Sequence, residues 1–286
     1  MATDKGIEIR MVVYEEREMV VSLLEEGLSS DRIKHRKLFE HGWSKGTPYF
    51  GVGLYDKGVI QGFLGCILAD KNNLVPYKTC HLATWYVREE YRKHGLKLLY
   101  RSMKYKKEYV IINLTPVKSV RRIFEALKFS VLDDKQIIAI TVPSLLKIFS
   151  SGVAVSRIDS ETEKLLTAED VMIFRDHTST GVYHVIIQYE TEYCYVVFTK
   201  RRRVKGMLLA ADVQYVSNSD LFVKCLDKFK IFMLKHGIVF VTIDLRFIEG
   251  SRGGIGLHLE INYPKYFYSK EAIRGRISNL YSELVL

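Results

Sequence analysis

The chain has 286 residues, with 43 Lys and Arg against 33 Asp and Glu, and a net charge of +10 at neutral pH. Hydrophobic residues make up 48 % of it, which allows packed cores and excludes wholesale disorder. The length exceeds one average domain, so two units of about 140 residues are the natural division, and the positive balance favours anionic partners: a nucleotide-like ligand, nucleic acid or a membrane surface.

In chain order, Ile7 to Tyr14 reads as a strand and Glu15 to Glu26 as an amphipathic helix with Met19, Leu23 and Leu24 inward. Asp31 is placed to cap a second helix through Phe39. Tyr49 to Tyr55 and Val59 to Asp70 read as strands joined by the hairpin turn Asp56-Lys57-Gly58. A strand over Thr79 to Val87 then leads through Gly95 into a helix ending near Lys107. That helix carries Leu96, Leu99, Tyr100 and Met103 on one face and Lys93, Lys97, Arg101 and Lys104 on another. Tyr109 to Leu114 reads as a buried strand, Ile123 to Phe129 as a helix end, and Val131 to Val142 as further strand. Phe149 to Gly152 is the expected linker, separating units 1–148 and 153–286. Beyond it come a helix over Ser160 to Ile173, strands over Val182 to Glu190 and Tyr193 to Thr199, and a charged turn at Lys200 to Arg203. The chain continues with a strand over Val204 to Val216, a helix from Ser219 to Lys235 ended by Gly237, and a strand over Ile238 to Asp244. Gly250 to Gly256 reads as a loop, because Ile255, Leu257, Leu259 and Ile261 alternate as in a strand rather than a phosphate-binding helix. The expected fold class is α/β with mixed sheets, the second unit echoing the first.

No charged-then-apolar leader opens the chain and no apolar run reaches about 18 residues, so a soluble, cytoplasmic protein without a membrane span is expected. Cys66, Cys80, Cys194 and Cys225 form no Cys-x-x-Cys pair, which removes zinc-knuckle and redox motifs, and Glu89-Glu90 and Asp133-Asp134 diverge, so no metal site is expected. Gly-x-Ser-x-Gly, His-Glu-x-x-His and Walker patterns are missing from the sequence. The charge concentrates between Arg88 and Lys107, where eight Lys and Arg face two acids. A strand that turns through glycine into a basic helix presents unpaired amides and the positive end of the helix dipole, an arrangement suited to phosphate. A pyrophosphate-bearing ligand is therefore expected near Gly95.

The run Val87-Arg-Glu-Glu-Tyr-Arg-Lys-His-Gly-Leu-Lys97 resembles motif A of the GNAT superfamily of acyl-CoA-dependent acyltransferases, matching at Val87, Glu90, Tyr91, Arg92 and Gly95, with Leu96 in an aliphatic slot. It departs at Glu89, where proline is frequent, and at Lys97, where a small residue belongs. Ile123-Phe-Glu-Ala-Leu-Lys-Phe129 resembles the family's Leu-Tyr-Glu-Lys-Leu-Gly-Phe helix end, and the likeness covers about residues 5–142. It implies a GNAT-like first unit and a second, degenerate GNAT-like unit that shapes the acceptor site or a homodimer interface. It also implies an acyltransferase moving an acetyl or other acyl group from acyl-CoA to an amine on a small molecule or peptide. By the same resemblance, Arg92, Lys93, His94, Gly95, Leu96 and Lys97 would meet the pyrophosphate, and Tyr86, Val87 and Phe124 the pantetheine arm. The Val87 N–H would polarise the thioester carbonyl. His81, six residues before Val87, holds the place of the family's usual glutamate base, and neutral imidazole suits that work. The family's tyrosine acid is Phe124 here, which cannot donate a proton. Two other readings stay open: a GNAT-like module that holds CoA without turnover, and a basic nucleic-acid-binding protein, against which the lack of aromatics within the Lys and Arg runs argues.

Overall fold

The computed structural model describes residues 6–28, 32–44, 46–70, 77–142, 152–203, 206–248, 255–271 and 273–286. The first half contains β1 (Ile7–Val13), α1 (Arg17–Leu28), α2 (Arg32–Lys37), β2 (Tyr49–Asp56), β3 (Val59–Ala69) and β4 (Lys78–Val87). It continues with α3 (Gly95–Ser102), β5 (Tyr109–Asn113), α4 (Arg121–Ala126) and β6 (Ser130–Ile140). The second half contains β7 (Val153–Arg157), α5 (Ala168–His177), β8 (Val182–Tyr189), β9 (Glu192–Arg203) and β10 (Leu208–Val216). After these come α6 (Ser219–Lys224), α7 (Leu226–Lys235), β11 (Ile238–Asp244) and β12 (Leu257–Tyr268). The strands form one mixed sheet in the order β1-β2-β3-β4-β5-β12-β6-β11-β10-β9-β8-β7. Its parallel pairs are β4 with β5 and β10 with β11.

Local chemistry accounts for most elements. The β2–β3 hairpin closes through Lys57 and Gly58, both at positive φ (49° and 82°), the conformation whose twist matches two antiparallel strands. β3 is buried along nearly its whole length, as its continuous apolar run requires once helices cover both faces. In α1 the inward residues are Val20, Val21, Leu23 and Leu24, whereas Met19 is exposed: the two valines shift the centre of the buried face away from it. Likewise Leu98, Leu99 and Ser102 face inward on α3 while Leu96 and Tyr100 are exposed. Lys200 to Arg203 are not a turn but the end of β9, paired with Leu208–Ala211. The single helix expected over Ser219 to Lys235 is broken at Cys225, and Gly237 (φ 72°) ends the second piece. Asp31, most of the 149–152 linker and most of the Gly250–Gly256 loop lie outside the described residues.

The sheet ties the halves together. β12, from the second half, lies between β5 and β6 of the first, while β6 pairs with β11. Each half thus completes its part of the sheet with a strand of the other. Pro264, which has no N–H, falls in the unpaired stretch of β12 between the Glu260–Lys135 and Lys265–Asp133 pairs. One apolar core also crosses the junction, joining Val20, Leu24 and Trp43 to Ile186, Tyr195 and Leu280. Its centre is an aromatic cluster in which Trp43 lies 5.1 Å from His177 and 5.3 Å from Tyr281, and the Trp43 indole donates to the Asp176 carbonyl at 3.0 Å. All four cysteines are buried and free. Among the described residues no group of His, Cys, Asp and Glu is arranged to hold a metal ion, and no helix is long and apolar enough to cross a membrane.

Candidate active site

β4 and β5 run side by side only from Lys78–Tyr109 to His81–Ile112, after which they part. Beyond the parting, β4 keeps its pairing with β3 but carries an extra residue: Ala83 faces Gly65 and Trp85 faces Leu64, leaving Thr84 in a bulge at φ 43°. A cleft of about 640 Å³ opens in the gap, walled by Leu82 to Val87 on one side and Asn113 to Val117 on the other. The Arg88 N–H donates across to the Gln61 carbonyl of β3 at 2.9 Å. Successive strand residues alternate their backbone groups, so the Val87 N–H and C=O turn the other way, toward the cleft.

Two side chains satisfy part of the exposed edge. Asn113 Nδ2 donates to the Leu82 carbonyl at 3.2 Å, and Glu283 Oε2 accepts from the Thr84 N–H at 3.1 Å. Glu283 Oε1 also accepts from the Thr115 hydroxyl, so one carboxylate bridges the two lips of the gap. Glu283 lines the cleft, although it stands in an irregular segment of the second half. Nothing in the sequence pattern marks it, because its position depends on a contact 199 residues distant along the chain.

The end of β4 leads into a 3-10 turn over Glu89–His94 and then directly into α3. Gly95 therefore does not open the helical run. It is right-handed helical (φ −52°, ψ −44°), and its N–H already donates to the Arg92 carbonyl. What glycine supplies here is space. An added Cβ would meet only Val87 at 3.8 Å and Trp85 at 4.0 Å, so the cleft beside Gly95 is open to a ligand. Glu26 and Gln61 hold the Arg88 guanidinium, at 3.0 and 2.8 Å, and the Glu26 carboxylate raises its pKa above the usual range. Arg92, only 3.7 Å from Glu89 and largely exposed, keeps a cation at the rim, joined there by Lys34 of α2.

Of the residues expected at the cofactor, Tyr86, Val87, Arg92, Gly95 and Leu96 line the cleft. Lys93 and Lys97 are exposed and do not line it, so the Lys97 stem does not block the glycine. His94 is buried beneath the turn. Phe124 is 0 % exposed, packed 4.7 Å from Phe129 and 5.6 Å from Tyr266, and belongs to the core under α4 rather than to the cleft wall. His81, expected as the base, is 2 % exposed on the paired part of β4 opposite Ile67, and it does not line the cleft either. The carboxylate at the gap is that of Glu283.

A mixed sheet whose central parallel strands part around a cleft defines the fold as GNAT-like. Residues 17–111 match the model of the acetyltransferase (GNAT) family. The fold is similar to that of a GCN5-related N-acetyltransferase from Anabaena variabilis (TM-score 0.57, 12 % identity, 91 % of this chain and 72 % of that one). A Pyrococcus horikoshii protein shares it at TM-score 0.54 and 13 % identity, over 95 % of this chain and 92 % of that one, so the likeness spans both halves. A glucosamine N-acetyltransferase region of a fungal multi-domain GH3 β-N-acetylglucosaminidase gives TM-score 0.58 at 11 % identity, over 92 % of this chain and 38 % of that one. No curated protein matches the chain by sequence.

Proposed function

We propose that this protein transfers an acyl group, acetyl or longer, from acyl-CoA to an amine. The observation that carries this reading is the parting of β4 from β5 with the Val87 backbone turned into the gap. A strand edge with no neighbour is completed by an extended ligand bearing amides, as the pantetheine arm is. The open space beside Gly95 and the cations Arg92 and Lys34 suit the phosphates at one end of such a ligand. The Val87 N–H then faces the thioester carbonyl and stabilises its oxygen as charge develops there.

In this reading Glu283 takes the proton that a primary ammonium must lose before its nitrogen attacks. Its hydrogen bonds to Thr84 and Thr115 fix the carboxylate between the two lips of the gap. The new C–N bond forms as the C–S bond breaks, and the departing thiolate is protonated by water, since Phe124 has no proton to give. The lack of a hydroxyl at Phe124 favours a second reading, in which the cleft holds acyl-CoA without turnover.

Titration with acetyl-CoA by calorimetry tests the donor site. Gly95→Val should fold, because the protein leaves room for the side chain's first carbon, yet bind acetyl-CoA at least tenfold more weakly, a loss of about 1.4 kcal/mol or more. Unchanged affinity in that variant places the donor elsewhere. Thiol release with a panel of amines separates turnover from binding alone.

A further inference from the structure

A second cavity of about 430 Å³ lies against the first, and residues Thr115 to Val117 line both. The irregular segment near residue 283 is the rest of the partition: Glu283 lines the cleft, and its neighbour Leu284 lines the second cavity. The chemistry of this chamber is unlike that of the cleft. Its walls carry Arg203, Asp212, Gln214, Asp244 and Lys265, brought together from β9, β10, β11 and β12.

The charged groups are largely paired, which reveals what is left over. Asp244 Oδ2 accepts from Lys265 Nζ at 2.5 Å, from Asn279 Nδ2 at 2.6 Å and from Arg246 at 3.1 Å. Arg246 is also paired with Asp133. Asp212 accepts from Arg201 at 3.1 Å and from Arg203 Nη2 at 3.1 Å. Across this network four cations, Arg201, Arg203, Arg246 and Lys265, meet three carboxylates, Asp133, Asp212 and Asp244, a surplus of one positive charge. Two buried atoms in the chamber have no hydrogen-bond partner among the described residues: Arg203 Nε, a donor, and Gln214 Oε1, an acceptor. Gln214 is only 3 % exposed, and its amide nitrogen is occupied by Thr199 at 2.9 Å. Leaving buried polar groups unpaired is unfavourable, and a ligand that pairs with them removes that cost.

From these leftovers we infer that the chamber binds the acyl acceptor, and that the acceptor is an amine carrying a carboxylate, an amino acid or short peptide. This rests on the acyltransferase reading for the word acceptor. The binding site itself stands on the chamber. The carboxylate answers the surplus charge and the Arg203 Nε donor, and an N–H of the same molecule answers Gln214 Oε1. The reacting amine then passes the Thr115–Val117 partition to reach Glu283.

The test is a calorimetric titration of the full chain with free amino acids and dipeptides, each beside its decarboxylated amine, with and without CoA. At least one carboxylate-bearing amine should bind tenfold more tightly than its decarboxylated counterpart. Arg203→Gln should weaken it about tenfold or more with acetyl-CoA affinity unchanged. Gln214→Glu, nearly identical in shape and still able to accept from Thr199, should weaken the carboxylate-bearing amine while strengthening the decarboxylated one. Equal binding of the two amine classes, or titrations indifferent to both substitutions, overturns the assignment. Binding without CoA isolates the chamber: a protein that takes the amino acid but no CoA refutes the acyltransferase reading and keeps the site.

Discussion

The two halves part their central parallel strands in the same way, and each gap opens on a cavity of different chemistry. In the first half the parallel pair β4–β5 parts after His81–Ile112, with Thr84 bulged from β4. In the second half the parallel pair β10–β11 ends at Asp212–Thr242, with Gln214 skipped in the same way between Val213 and Tyr215. Both bulges are met by the irregular segment beyond residue 277, since the Thr84 N–H donates to the Glu283 side chain and the Gln214 carbonyl accepts from the Asn279 N–H at 3.0 Å. The halves differ in the turn that leads out of each strand. The 3-10 turn after β4 has no side-chain cap. After β10, Asn218 Oδ1 accepts from the Leu221 N–H at 3.0 Å, so this helix start has already spent on its own chain one of the donors an anion would need. Asn279 and Arg246 span the second gap with fixed hydrogen bonds, and the ion-paired side chains Arg203, Asp212, Asp244 and Lys265 stand in the wall of its cavity. The same strand geometry thus serves both halves, while the groups set around each gap decide what kind of ligand it suits.

The strongest way to break this comparison is to disable the group that the second half lends to the first. Glu283→Gln keeps the shape, still accepts from the Thr84 N–H through its amide oxygen and donates through its amide nitrogen to the Thr115 hydroxyl, but cannot take a proton. Acyl transfer should fall about 10²–10³-fold with acetyl-CoA affinity intact. Activity within a few-fold of the parent would return Glu283 to a purely structural role.

Acid should act on both halves together. Burial lowers His41, stacked on Trp43 in the first half, from 6.5 to about 4, and does the same to His184, bonded to the Tyr195 hydroxyl in the second. Between those values the unfolded chain binds protons that the folded chain refuses. The stability from each imidazole is thus complete above pH 6.5 and is lost as the pH falls through about 4, on the order of 2–3 kcal/mol apiece. Thermal melts from pH 7 to pH 4 should show one cooperative transition moving down, because the core and sheet are shared. Two separate transitions would show that the halves unfold independently.

Smaller effects sharpen the same contrast. Asn218→Ala removes the cap of α6 and should cost about 1 kcal/mol in urea unfolding with no change in acetyl-CoA binding. Lys128→Gly should gain up to about 1 kcal/mol, since Lys128 ends α4 at φ 61°, a conformation that glycine adopts without strain. A loss of stability there would mean that the Lys128 side chain makes a contact outweighing its backbone cost.

Lys128 illustrates what could be read locally. Lys128 stands where the resembling family pattern has glycine, and the backbone takes the glycine conformation even so. Hairpin turns, strand alternation and the glycine beside the cleft were equally legible, because each depends on residues within a few positions of one another. Errors arose where a neighbour in space overrode the local pattern. Met19 is exposed because Val20 and Val21, with Leu23 and Leu24, form the face of α1 that packs into the core. Lys200 to Arg203 stay extended because Leu208 to Ala211 pair with them. His81 is buried because β5 still covers that part of β4.

From its residues alone, this chain determined the order of strands and helices, the strand that ends at Val87 and the basic stretch behind it. Local propensity and apolar periodicity are written into consecutive positions. Only the tertiary structure decided that β12 enters between β5 and β6, that Glu283 spans the gap, and that Arg203 and Gln214 face a shared chamber. Those contacts join positions far apart in the chain, and a contact between distant residues leaves no imprint on the sequence near either one.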